Sequence, residues 1–258
     1  MQYVEPSDAR NLPGLRLALT VGVPGPWSES AKAIFQVKGI PYVPVAQYAG
    51  KDNAELVAWT GRRNAPVAVL DDEAPRDGWA EILLLAERMQ PEPALLPADP
   101  AERALVFGLS HEICGEEGFG WVRRVMLLED IFKAARGGAK LEPGMQAMLR
   151  GYRVTDASIA AAPARVIGLM GMLADRLKAQ RAAGSPYLVG DSLTACDLYW
   201  ACFAALIEPL PAEVNPMPHF LRRVYGGASI ELAMAKAPIL FEHRAYIYAT
   251  HLTLPLDF

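Results

Sequence analysis

Few residues in this 258-residue chain stand at spacings that dictate chemistry. His111-Glu112 starts the zinc pattern HExxH, but position 115 is Gly, so no metal site is expected. Gly115, Gly118 and Gly120 are in the wrong order for a dinucleotide loop, and neither GxSxG nor a P-loop occurs. The three cysteines, Cys114, Cys196 and Cys202, form no CxxC and no even disulfide set. They read as small buried apolar residues of a reducing compartment. No motif in the chain carries a chemistry by its spacing alone.

The most informative local pattern is YLVGDSLTACDLYWACF, Tyr187–Phe203. Thr194 and Asp197 stand at capping-box spacing, with Asp in the usual Glu place, ahead of a nearly all-apolar helix. Gly190-Asp191 supplies the preceding turn. A helix apolar all round is expected at the centre of a domain.

The surrounding elements follow from pattern. Leu15–Val21 and Pro66–Leu70 read as strands, and Ile40–Val45, with Pro41 and Pro44, as an extended edge. Ser28–Lys38 has helical spacing, with Ser28 as N-cap and Gly39 as stop. Asn53–Trp59 is a short helix and Trp79–Met89 a strong one; the turn between Leu70 and Trp79 has room for a short fourth strand. Gln90–Pro100 carries four prolines and reads as a connection. Beyond it the expectation is helices only. These are a long or kinked one over Ala101–Arg136, then Pro143–Arg153, Pro163–Ala183, the capped helix, His219–Val224 and Ser229–Ala235, with a tail that crosses the surface as LTLPLDF. The domains are thus 1–90, a linker 91–100, and 101–258. With 52% hydrophobic residues every region can build a core. A net charge of −4 and no Lys/Arg block exclude nucleic acid and a membrane surface as partners. No apolar run of about 18 residues is seen, so no membrane span is expected, and the N-terminus lacks a signal-peptide layout. A cytoplasmic protein is the expectation.

An α/β thioredoxin-like N-terminal domain followed by an all-α C-terminal domain resembles the layout of the glutathione transferases. Three local features carry the resemblance: Gly39-Ile40-Pro41-Tyr42, Ala65-Pro66 opening the third strand, and the capping box at Thr194. It extends over nearly the whole chain.

The resemblance implies glutathione as cofactor, held in the first domain. Ala65 would offer its backbone to the cysteinyl part beside a cis Pro66. Asp77, Gly78 and Trp79 would meet the γ-glutamyl end, with Gly78 where the family carries a serine. The family's Ser or Cys position at the first helix falls on Gly25, leaving Ser28, then Ser30, as the hydroxyl that stabilises the thiolate. Glu29 beside it opposes a thiolate unless Lys32 offsets it. Trp27, counted with the glutathione-binding residues, would also face the acceptor pocket between the domains, opposite Phe119, Trp121 and Arg124, where the three glycines open the helix. A homodimer is implied by the family alone. Two functions remain. One is a detoxifying transferase joining glutathione to a small apolar electrophile, or cleaving it. The other is a non-catalytic protein of the same fold that binds a hydrophobic ligand or partner.

Overall fold

The computed structural model of the chain describes residues 1–227 and 230–258. After a short helix α1 (Pro6–Ala9) come β1 (Leu15–Thr20), α2 (Pro26–Val37), β2 (Val43–Gln47), α3 (Ala54–Thr60), β3 (Val67–Leu70) and α4 (Trp79–Met89). The sheet has the order β2-β1-β3. β1 pairs parallel to β2, Arg16 against Val43 through Thr20 against Gln47, and antiparallel to β3, Leu15 against Leu70 through Ala18 against Val67. A central strand covered on both faces is mostly apolar: Leu15, Leu17, Ala18 and Leu19 are buried, and the one buried charge, Arg16, donates to the Asp71 carbonyl at 2.6 Å. The short fourth strand exists only as one antiparallel bridge, Ala68 to Arg76.

The linker is fastened to this first domain by a buried cation. Lys38 Nζ pairs with Glu87 at 2.6 Å and donates to the carbonyls of Gln90 and Pro93 at 2.7 and 2.9 Å. Helices follow: α5 (Pro100–Cys114), α6 (Phe119–Leu127), α7 (Glu129–Arg136), α8 (Pro143–Gly151), α9 (Asp156–Ala182), α10 (Ala195–Phe203), α11 (His219–Gly226), α12 (Ile230–Met234) and α13 (Pro238–His251). Of the expected helix Ser229–Ala235, Ser229 lies outside the described residues.

Helix α10 is the hub, with all nine residues buried and packed against α2, α5 and α13. Of the expected capping box the Asp197 half forms, while the Thr194 hydroxyl donates to Asp197 instead of taking a first-turn N–H. Asp197 accepts from the Thr194 N–H at 2.9 Å and from the Thr194 hydroxyl at 2.8 Å. It also takes the Leu188 N–H at 2.8 Å and His243 Nε2 at 3.0 Å, so one carboxylate ties the loop, α10 and α13 together.

Three expectations are corrected. The N-cap of α2 is Gly25, not Ser28. Pro26 opens the helix because its fixed φ suits the first helical position, and Ser28 falls inside the first turn. The region Ala101–Arg136 is three helices, broken at Gly115–Gly118 and again at Leu128. Helix α9 begins seven residues before Pro163, because Thr155 and Ser158 form a reciprocal cap: the Thr155 N–H donates to Ser158 Oγ at 2.9 Å and the Ser158 N–H to Thr155 Oγ1 at 3.1 Å. Against the expectation of no membrane span, α9 has an 18-residue window of mean hydropathy 1.5, long and apolar enough to cross a membrane. Its buried residues Ala162, Val166, Leu169, Met170, Leu173, Ala174 and Leu177 form one face, which packs on α6 and α13. That is the pattern of an amphipathic helix against a protein core.

The tail after α13 returns to the first domain. Leu252, Leu254, Leu256 and Phe258 alternate inward against the core. Gln36 Nε2 donates to Thr253 Oγ1 at 2.7 Å and Lys32 Nζ to the Asp257 carbonyl at 2.5 Å.

Candidate functional site

The first turn of α2, the start of β3 and the first turn of α4 converge. Trp27, Ser30, Ala31 and Ile34 from α2, Pro66, then Asp77 and Trp79, and Tyr199 from α10 line one interdomain cleft. The Ala65-Pro66 bond is cis. Ala65 is half-buried and lies beyond the β1–β3 ladder, whose last pair is Ala18 with Val67. Five of the residues singled out from the sequence, Trp27, Ser30, Pro66, Asp77 and Trp79, therefore meet, with Ala65 and Gly78 adjoining them in the chain.

The cleft is narrow, about 10 Å³, which is room for a single water. Two features close it. Trp27 spans the domains: its Nε1 donates to the Cys114 carbonyl at 2.9 Å and its ring meets Phe203 edge-on at 4.8 Å. Gly120 makes this possible, since a Cβ there would stand 2.3 Å from the Phe203 ring and 3.2 Å from Trp27. At the other end Asp77 is paired with Arg62 Nε at 2.8 Å, both side chains about half exposed. Arg62 was not expected from the sequence, because it comes from the end of α3.

Gly78 is the N-cap of α4, with its N–H toward Glu81 Oε2 at 3.3 Å. Tyr199 OH donates to the Trp79 carbonyl at 3.1 Å, which holds α4 against α10. On α2, Pro26 has no N–H and Glu29 N–H reaches Gly25 O at 2.9 Å. The N–H groups of Trp27 and Ser28 are left at the positive helix end. Of the two hydroxyls, Ser30 lines the cleft and donates to the Trp27 carbonyl at 3.0 Å. Ser28 is buried but does not line it.

Glu29 does not face this cleft. It projects from the opposite side of α2 and binds Lys32 Nζ through both oxygens at 2.9 Å. With Lys32, Tyr42, Cys202, Tyr248 and the tail it lines a separate cavity of about 190 Å³. Burial raises the Glu29 carboxyl, and Lys32 pulls it back down. Burial also raises the three thiols, Cys202 to about 12, so none is a ready nucleophile.

The three residues expected to line an acceptor pocket part company. Phe119 is wholly buried and packs edge-on against Trp200 at 5.2 Å; it belongs to the core. Trp121 meets Tyr152 at 4.7 Å, and Tyr152 meets Trp27 at 6.3 Å. Arg124 lies over the Trp27 ring at 5.9 Å and the Tyr225 ring at 5.6 Å. Tyr152 and Tyr225 were missed; no local spacing links them to Trp27. Among the described residues no cluster of His, Cys, Asp and Glu could hold a metal.

No family model and no curated protein matches the chain. Solved structures do. A glutathione S-transferase from Methylobacterium radiotolerans, in complex with glutathione sulfonate, superposes with TM-score 0.61 over 92% of this chain and 91% of its own, at 17% identity. The Tau class glutathione S-transferase of mango gives 0.61 over 93% and 90%, at 16% identity. A glutathione transferase family member from Pseudomonas fluorescens, with two glutathione molecules bound, gives 0.61 over 92% and 88%, at 14%. The chain has the glutathione-transferase fold.

Proposed function

We propose that the chain binds glutathione in the cleft between α2, β3 and α4 and conjugates its sulfur to a small electrophile. The observation that carries this reading is the convergence of Pro66, Asp77 and the first turn of α2 on one cleft. Solved neighbours of the same fold carry glutathione or glutathione sulfonate. The donor set fits the tripeptide. Asp77 can take the α-ammonium group, the N-terminus of α4 and Arg62 the adjacent carboxylate, and Ala65 the cysteinyl backbone. Entry requires the Arg62–Asp77 pair to open, which costs about 0–1 kcal/mol for an exposed pair, and the Trp27 ring to shift from its contacts with Cys114 and Phe203.

Glutathione supplies the nucleophile as its thiolate. A free thiol has a pKa of about 8.5, and a positive helix end lowers it. Here the N–H groups of Trp27 and Ser28 provide that field, and the Ser30 hydroxyl can add a hydrogen bond by turning its one O–H from the Trp27 carbonyl to the sulfur. Glu29 directs its charge to the far side of α2, so it opposes a thiolate less than its position in the sequence implies. Trp27 shields the sulfur from water on the side of the helical domain. The reading includes a thioredoxin-like domain over residues 1–90, a helical domain over 101–258, a homodimer, a role in detoxification, and a reducing cytoplasm that suits three free buried thiols.

A second reading has one specific observation in its favour. Gly25 stands where the family carries Ser or Cys and has no side chain to activate sulfur. On that reading the protein binds a ligand without turnover. Turnover of 1-chloro-2,4-dinitrobenzene with glutathione separates the two. The transferase reading expects catalysis that Ser30→Ala lowers at least tenfold and Ser28→Ala lowers less. Glutathione binding with no turnover above background would favour the non-catalytic reading.

A further inference from the structure

Two neighbouring arginines on α6, Arg123 buried and Arg124 partly buried, have no carboxylate partner. Among the described residues neither Arg123 nor Arg124 forms a salt bridge, in a chain with 29 acidic residues. Burying a charge is costly unless it is paired and hydrogen-bonded. The chain meets that demand at Lys38, which has Glu87 and backbone carbonyls around it. It meets it at Arg123 as well, through the carbonyls of Leu206 at 3.0 Å and Gly227 at 2.9 Å.

Arg124 is different. It shares side-chain hydrogen bonds with the Tyr225 and Tyr152 phenols, the Nη2 to Tyr225 OH contact being long at 3.4 Å, and its Nε is buried with no partner among the described residues. Burial works against its charge, but the Tyr225 and Tyr152 phenols outweigh that and favour the charged form. The guanidinium lies over Trp27, the second residue of α2, at the edge of the turn where the proposed thiolate would sit. Around it stand the rings of Trp27, Tyr152, Trp121 and Tyr225. A free guanidinium donor with phenols beside it suits a carboxylate, and aromatic walls suit a flat ring.

We propose that Arg124, with Tyr152 and Tyr225, forms an anion site for the acceptor, so that the preferred electrophile is an aromatic compound bearing a carboxylate. This rests on the transferase reading above for the reaction, though not for the anion site. In the reaction the ring carbon gains the sulfur and releases chloride with its bonding pair, while the thiol proton passes to solvent. Arg124 holds the carboxylate and takes no part in the bond changes.

A matched pair of acceptors tests this: 4-chloro-3-nitrobenzoate and its methyl ester, each kcat/KM divided by the uncatalysed rate constant. The native protein should favour the acid at least tenfold. Arg124→Gln should cut the acid-to-ester ratio at least tenfold, and Arg124→Lys, which keeps charge but not the planar fork, should fall between. A native ratio at or below one overturns the proposal without any variant. Binding of the unreactive 3-nitrobenzoate, followed by tryptophan fluorescence, is the second readout, with melting temperature as the check on folding. It should weaken at least tenfold in Arg124→Gln. Equal binding by native and variant refutes the anion site even if glutathione turnover is intact. Arg124-dependent binding without turnover of either chloride keeps the anion site, and refutes both its role as acceptor site and the transferase reading.

Discussion

Replacing Asp197 by Ala tests whether the capped helix holds the helical domain together. The carboxylate is fully buried and accepts from two backbone N–H groups, Leu188 and Thr194, at 2.8 and 2.9 Å, and from the Thr194 hydroxyl and His243. The hydroxyl can turn to Cys196 Sγ at 3.0 Å, and the buried imidazole, whose Nδ1 has no partner among the described residues, adds to the loss set by the backbone. The two N–H groups are fixed in the loop and cannot turn. Each buried donor left unpaired costs about 1–3 kcal/mol, so the variant should lose roughly 2–6 kcal/mol, centred near 4. At about 2–4 °C per kcal/mol for a chain near this size, the melting temperature should fall by roughly 8–16 °C. Asp197→Asn, which keeps one acceptor oxygen, should lose about half as much. Urea titration and thermal melting followed by circular dichroism at neutral pH measure both. A loss under about 1 kcal/mol for Asp197→Ala would mean that the network is dispensable and that packing alone positions α10.

Three further outcomes are expected. Gly25 has an ordinary φ of −67° and open space where a Cβ would stand, so Gly25→Ser should fold normally and raise aryl-halide turnover at least tenfold; an unchanged rate would contradict the role given to this turn. Gly120→Ala should push the Phe203 and Trp27 rings apart and destabilise by about 1–3 kcal/mol, read as a lower urea midpoint. Burial holds the Tyr3 and Tyr42 phenols up at about 12 in the folded state, with the neighbouring Glu29 adding to the effect. The folded chain then retains protons that the unfolded chain releases above its ordinary phenol value of about 10, so stability should be full below pH 10 and decline between about 10 and 12. Tyr42→Phe should flatten that decline, and an unchanged alkaline slope would show that Tyr42 ionises freely.

The parts of the fold set by local pattern were readable from the sequence. β1, α4 and α10 carry their signals within a dozen residues: an apolar run, a helical stripe and a cap. The errors arose where two local signals compete. Ser28 is a good N-cap residue, but Pro26 fixes the start of α2 two residues earlier. Pro163 looks like a helix start, but the Thr155–Ser158 cap lies upstream and the helix runs through the proline. Pro66 and Asp77, which line the cleft, could be singled out because each marks the start of an element. Arg62 lies at no such mark. Tyr225 reaches Arg124 across 101 residues, and no spacing rule covers contacts of that range. Phe119 misled because an aromatic between two glycines resembles a pocket wall, while in space it fills the core against Trp200.

Calorimetric titration of glutathione into the native chain and into Asp77→Ala tests the central claim most directly. The account predicts micromolar to millimolar binding by the native protein and at least tenfold weaker binding by the variant, a loss of about 1.4 kcal/mol. No heat at millimolar glutathione, or equal binding by both proteins, would contradict the placement of glutathione at Asp77 and the cis-proline cleft.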